Sequence, residues 1–250
     1  MTKSRPIPLP LTALVAFFSA LAALAVSGGM NMAQAHGGAV HSNTVHSNTV
    51  HSNTVHSNTV YSNTVHAATP TSASLALHDG MRKLWEDHIT WTRLAIVDLE
   101  DGSPETSATV ARLLRNQVDI GNAIKPYYGA KAGNELTREL KSHILIAADV
   151  IAAAKAGDQA KLRTAQTKWV QNADQIAALL HGANPANWPL AALKAEMHMH
   201  LALTTQEAVA HLQKKWAADI AAYDRVHNHI LHMSDLLSGG IAQQFPARFR

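Results

Sequence analysis

From Leu77 onward apolar residues recur at steps of three and four, and nearly every stripe they form contains one polar member. The first stripe is Leu77, Met81, Leu84, His88, Trp91 and Ala95, the spacing of a helix face turned toward a core. Asp101-Gly102-Ser103-Pro104 ends it, and the same segment predicts a second helix with Ser103 as its cap and Pro104 at its first position. That helix carries Val110, Leu113, Gln117, Ile120 and Ile124 as far as Tyr127. Gly129 to Gly133 interrupts the chain before a third stripe of Leu136, Leu140, His143, Ala147, Val150 and Ala154. Gly157 and Asp158 have the turn and capping chemistry for a fourth helix, with Leu162, Ala165, Trp169, Asn172, Ile176 and Leu179 on its inner face.

Residues 184–189, with Pro185 and Pro189, introduce a short fifth helix bearing Leu193, Met197 and His200. Thr204-Thr205-Gln206-Glu207 has capping-box spacing and predicts a sixth start. Its face continues through Val209, Leu212, Trp216, Ile220, Tyr223, His227, Ile230, Ser234 and Leu237 to Gly239-Gly240. The pattern predicts an all-α fold, an antiparallel bundle of about six helices over residues 77–246. In that bundle His88, Gln117, His143, Asn172, His200 and His227 all point inward.

The chain ahead of the bundle has a different character. Lys3 and Arg5 precede an apolar run over residues 11–26 and the small-residue site Ala33-Gln34-Ala35, the marks of an export signal over residues 1–35. A cut after Ser27, or retention as a membrane anchor, are the alternatives. No later segment is apolar enough to span a bilayer, which takes roughly 20 apolar residues. The expected location is periplasmic or extracellular. Residues 36–76 hold a perfect His-Ser-Asn-Thr-Val array from His41 to Val60, with a further copy beginning at Tyr61. Ser, Asn and Thr offer nothing to a core, so this low-complexity segment reads as a disordered spacer. Its imidazoles at His36, His41, His46, His51, His56 and His66 alternatively make a weak metal-scavenging tract.

The formal charge of +3 includes Lys3 and Arg5, so the chain after residue 35 carries 3 − 2 = +1. Neither that balance nor any clustered Lys/Arg face supports a nucleic-acid partner. Cysteine is absent, which excludes disulfides and thiolate sites.

The strings Leu84-Trp85-Glu86-Asp87-His88-Ile89-Thr90-Trp91-Thr92-Arg93 and Asn116-Gln117-Val118-Asp119-Ile120-Gly121-Asn122-Ala123-Ile124-Lys125-Pro126-Tyr127-Tyr128-Gly129 resemble those of a family of exported bacterial helical proteins. Residues 184–189 and the ending Gln244-Phe245-Pro246 are similar too, so the likeness covers nearly all of residues 77–246. The resemblance implies a helical bundle without an established activity, and it carries over no catalytic residue. A transferase or kinase would need an α/β nucleotide-binding framework, and the pattern predicts no strand and no glycine-rich phosphate loop.

His88, His143, His200 and His227, with Asp119 and Asp224, are the candidate ligands for a divalent transition metal such as zinc, copper or iron, since imidazole and carboxylate suit these ions and bundle interiors host such sites. Asp87 and Glu207 are further carboxylates for the same role. The Glu-x-x-His signature of di-iron bundles is missing. Two other readings stand beside this one. The inward polar residues fix helix register while an exposed face meets an envelope protein partner, or Trp85, Trp91, Trp169 and Trp216 line a pocket for a small organic ligand, with Arg93 as an anion contact. His229 and His232 lie off the expected seam and read as solvated helix face. No Gly-x-Ser-x-Gly or His-Glu-x-x-His motif points to catalysis.

Overall fold

The computed structural model describes residues 71–250; the export signal and the pentapeptide array lie outside the described residues. Five α-helices account for most of them: α1 (Ser72–Asp101), α2 (Thr106–Ala156), α3 (Gln159–Ala183), α4 (Leu190–Leu212) and α5 (Trp216–Gln244), followed by a 3-10 turn at Pro246–Arg248. There is no strand among the described residues. None of the described helices is long and apolar enough to cross a membrane.

Capping accounts for several boundaries. Thr71 accepts the Ser74 N–H at the start of α1, and its hydroxyl donates to the Phe249 carbonyl at 2.7 Å, tying the first described residues to the last. Gly102 closes α1 and Gly157 closes α2, both in the left-handed region. Asp158 caps α3 by accepting the Lys161 N–H. The expected Ser103 cap is not used: α2 starts at Thr106, and Ser103 Oγ accepts the Glu105 N–H just before it.

The interruption expected at residues 129–133 is confined to Gly129, whose φ of 81° and ψ of 169° are non-helical. Pro126, which has no N–H to donate, loosens the turn ahead of it. Helical geometry resumes at once, so α2 is two helices joined across a sharp kink at Gly129. Its two arms come together at Gly121 and Gly133: a Cβ on either would stand 2.5 Å from the other's carbonyl oxygen. Only glycine permits this backbone-to-backbone approach.

The boundary near the C-terminus lies elsewhere than the capping-box spacing suggests. Thr204 and Thr205 are buried inside α4, and Glu207 is held by Arg93 instead of turning back to cap a helix. The break comes at residues 213–215, where Lys214 takes a φ of 58°. That break resets the helical phase. The inner face of α5 is therefore Asp219, Ala222, Val226, Ile230, Met233 and Leu237, while Trp216 and Ile220, expected inside, are 52% and 59% exposed.

One core joins all five helices. Trp85, Ile89, Ile120, Ile176, Leu201, Val226 and Ile230 occupy its centre, and Trp188 closes one end with its ring over Gly240 and its N–H donated to the Leu236 carbonyl. α1 packs on α2 and α5, α3 on α2 and α4, and α4 on α5.

The glycine contacts make a paired prediction. Gly121→Ala should lower stability by about 1–3 kcal/mol through overpacking, whereas Gly80→Ala, in a helix with open space around it, should raise it by up to about 1 kcal/mol. Urea midpoints measure both, and equal midpoints for the two variants would contradict the close approach.

Candidate functional site

Four helices each contribute one histidine to a common layer, three of them buried and the fourth, His229, partly so. His88 comes from α1, His143 from the second arm of α2, His200 from α4 and His229 from α5. His200 is the hub, with its ring centre 5.9 Å from that of His88, 6.1 Å from His143 and 6.2 Å from His229. Trp85 packs edge-on against His88, and Trp169 of α3 lies against His143.

Amides anchor the outer rings. His143 Nδ1–H donates to Asn172 Oδ1 at 2.9 Å, and Asn172 Nδ2 in turn donates to the Glu139 carbonyl and carboxylate. Gln117 Nε2 donates to the Leu113 carbonyl and approaches His88 Nδ1 at 3.3 Å. Asn116 Nδ2 donates to the Leu84 carbonyl. His229 Nε2–H donates to the Glu196 carbonyl at 3.1 Å. The bond to Asn172 holds the His143 proton on Nδ1, so Nε2 keeps its lone pair, whereas His229 Nδ1 lies 3.6 Å from the Glu196 carboxylate. His143 Nε2 and His200 Nδ1 are buried without a hydrogen-bond partner among the described residues.

The layer contains three of the six residues that the sequence pattern nominated as ligands. His88, His143 and His200 come together, while His227, Asp119 and Asp224 do not join them. His227 lies one position past the fully buried Val226 and pairs with Glu86 at 2.7 Å on the bundle's flank. Asp119 faces Arg115 one turn away, and Asp224 is on the exposed side of α5. Asp87 pairs with Lys83 and Arg112. The fourth ring belongs to His229, whose side chain is 11% exposed against 25% for His227. Among the described residues no group of three or more His, Asp or Glu side chains stands in position to hold a metal ion. The rings lie side by side, tilted by 17–44° around His200, and do not converge on one point.

A second polar centre, unannounced by the stripes, is built from α1, α4 and α5. Arg93 donates to Glu207 at 3.0 Å and to both carboxylate oxygens of Asp219, which also accepts from His211 at 2.9 Å. Glu207 is wholly buried and Asp219 nearly so. Trp216 packs edge-on against His211. Glu100 lies nearby with no ion pair or side-chain hydrogen bond among the described residues, and its Oε2 is buried.

The two centres are protonated in opposite senses. Burial, reinforced for His88 and His200 by neighbouring imidazoles, pushes His88 down to about 3, His143 to about 4 and His200 well below its usual range; burial also lowers His229. All four rings are neutral at pH 7, the form in which imidazole ligates metals. Burial and the surrounding carboxylates push Glu100 up to about 8. Burial lifts Glu207 to about 7 against the pull of Arg93. Burial also works against Asp219, but hydrogen bonds from Arg93 and His211 prevail and hold its carboxyl low.

A non-monotonic pH profile follows. Below the ordinary histidine value of 6.5 the unfolded chain takes up protons that the buried rings refuse, so stability falls by about 1.4 kcal/mol per pH unit for each such ring. From the ordinary glutamate value of 4.5 up to about 8 and 7, folded Glu100 and Glu207 keep protons that the unfolded chain has released, so stability falls as pH rises. Four rings outweigh two carboxyls on the acid side, and only the carboxyls act above 6.5. Chemical denaturation across pH 4–9 should show a maximum near 6.5, with Glu100→Gln flattening the alkaline limb and His143→Gln making the acid limb shallower. A profile that rises steadily to pH 9 would contradict these protonation states.

Compared with protein-family models, with characterised proteins and with solved structures, this chain finds no match.

Proposed function

We propose that the chain is an exported, non-enzymatic binding protein of the cell envelope whose imidazole layer takes up a divalent transition metal ion. The observation that supports this most is the pair of buried, unpartnered nitrogens, His143 Nε2 and His200 Nδ1. A buried polar atom left without a partner costs about 1–3 kcal/mol, and an apolar side chain at either position would avoid that cost. Coordination supplies the missing partner. The bond from His143 to Asn172, itself anchored on Glu139, is the outer-shell arrangement that fixes the tautomer and direction of a ligating ring. Zinc, copper and iron all accept neutral imidazole. Taking up the ion requires the four rings to turn about their side-chain bonds until their free nitrogens converge, and Trp85 and Trp169, in contact with two of them, would report that motion.

A second reading draws on the amides. Asn116 bonded to the Leu84 carbonyl and Asn172 to the Glu139 carbonyl each cross from one helical segment to another, as residues that fix register do. Under that reading the layer binds nothing and an exposed face meets an envelope partner.

The deciding experiment compares the full chain with its His143→Leu/His200→Leu variant, so that any metal held by the N-terminal histidines is common to both. The variant should bind one equivalent less zinc. With zinc about 100-fold above its Kd, the parent should gain about 2.7 kcal/mol that EDTA removes, and the variant should show no such gain. His227→Ala should behave as the parent. Equal zinc content in parent and double variant, with EDTA without effect on either melt, would favour the register reading.

A further inference from the structure

The four rings of the imidazole layer do not lie at equal depth. His88, His143 and His200 are buried, while the side chain of His229 keeps some surface in solvent. An ion bound for the layer therefore meets His229 first.

Beside His229 stands a small polar cluster that the layer does not use. His229 and His232 are one turn apart on α5, and both approach the carboxylate of Glu196 on α4: His229 Nδ1 lies 3.6 Å from Oε2, and His232 Nε2 lies 3.8 Å from Oε1. Both separations exceed a hydrogen bond, which reaches about 3.2 Å. They are close to the spacing of about 3.4 Å that two donors take when each bonds one tetrahedral zinc ion at about 2.1 Å. The Nε2–H of His229 is given to the Glu196 carbonyl, so the neutral ring turns an acceptor, Nδ1, toward a carboxylate that is also an acceptor. Two acceptors facing across such a gap do nothing for each other, and a cation between them satisfies both. Imidazole with carboxylate suits zinc, copper and iron.

The cluster is open to a hydrated ion, since the His232 side chain is 64% exposed and that of Glu196 25%. Lys194, on the same helix as Glu196, pairs with Asp174. No three His, Asp or Glu side chains among the described residues are placed to hold an ion together. An ion here is thus held by two donors at a time, keeps water on its other positions and leaves readily.

We propose that Glu196 and His232 form the entry port of the imidazole layer, capturing a hydrated divalent metal ion at the surface and handing it to His229. The inference rests on metal uptake by the layer. His229 stacks on His200 with ring centres 6.2 Å apart. In the hand-over it turns about its side-chain bonds from the Glu196 side toward His200, and the ion exchanges carboxylate and water for imidazole.

Stopped-flow tryptophan fluorescence of the full chain mixed with excess zinc sulfate follows arrival at the layer, because Trp85 and Trp169 lie against His88 and His143. The His143→Leu/His200→Leu variant supplies the trace of zinc held elsewhere. Glu196→Gln/His232→Ala should reach the parent's final fluorescence and zinc content, with uptake about tenfold slower, the low end of what charge at the mouth of a site adds to association. Raised salt should slow the parent and scarcely affect this variant. Release into excess EDTA should slow by the same factor, since a port speeds entry and exit alike and leaves the affinity where it was. Faster release would mark a pair that merely steadies the fold and would overturn the port. Equal uptake rates in parent and variant, or one equivalent less zinc in the variant, would overturn it while leaving the layer's metal in place. A parent whose fluorescence and zinc content match those of the His143→Leu/His200→Leu variant would overturn both.

Discussion

The constraint on which this bundle turns is the cost of keeping four imidazoles uncharged inside a helical core. Removing an ionisable ring from water disfavours its charged form, and here neighbouring imidazoles add to that penalty at His88 and His200. The surrounding structure answers with amides at His88 and His143, while His229 meets the Glu196 carbonyl and carboxylate. Asn172 and Gln117 meet the outer rings, and Asn116 secures the adjacent backbone. At His88 and His143 neutral amides orient the rings without charging them, and at His229 burial outweighs the pull of the Glu196 carboxylate. The large apolar residues around the layer, Trp85, Ile89, Trp169 and Leu201 among them, complete the seal.

A second polar centre stands apart from the first, and its logic is inverted. Burial, with the neighbouring carboxyls adding to it, leaves Glu100 and Glu207 their protons, while Asp219 takes both Arg93 and His211 and Arg93 also reaches Glu207. Trp169 is the partition: it packs against His143, and it also forms a wall of an apolar cavity that Glu100 helps to line. A core of this size seldom carries two such centres without consequence, since unpartnered buried groups reduce the small margin by which a domain is stable.

Much of this was legible in the stripes. Periodicity alone placed His88, Gln117, His143, Asn172 and His200 inside, because within each helix the apolar neighbours at three and four residues fix the phase. The break at Gly129 and the turn at residues 157–158 were visible in glycine and capping chemistry. The last helix was not. Thr204-Thr205-Gln206-Glu207 has the spacing of a cap, but Glu207 is taken by Arg93, 114 residues away in the chain, a long-range ion pair that no local pattern reveals. With the break moved to residues 213–215, the count from Val209 misplaces Trp216, Ile220 and His227, while Ile230, Ser234 and Leu237 are buried as expected. The ring that belongs to the layer is therefore His229 and not its neighbour two residues back. The ion network shares the cause: the sequence reading takes Arg93 as an anion contact and Glu207 as a metal-site carboxylate, and only tertiary structure joins them to Asp219.

The central claim, that the four rings of the layer stay neutral and offer their nitrogens to a metal ion, is tested most directly by long-range proton–nitrogen correlation spectroscopy of the histidine side chains, recorded as pH is lowered and again with one equivalent of zinc. The account predicts that His88 and His143 remain neutral to pH 5 and that His200 and His229 take up protons only below the ordinary histidine value of 6.5, with His143 protonated on Nδ1 and His229 on Nε2, and that zinc shifts the nitrogens of these rings together. If these four titrate near 6.5 like exposed histidines, or if zinc perturbs only histidines outside the layer, the account is wrong.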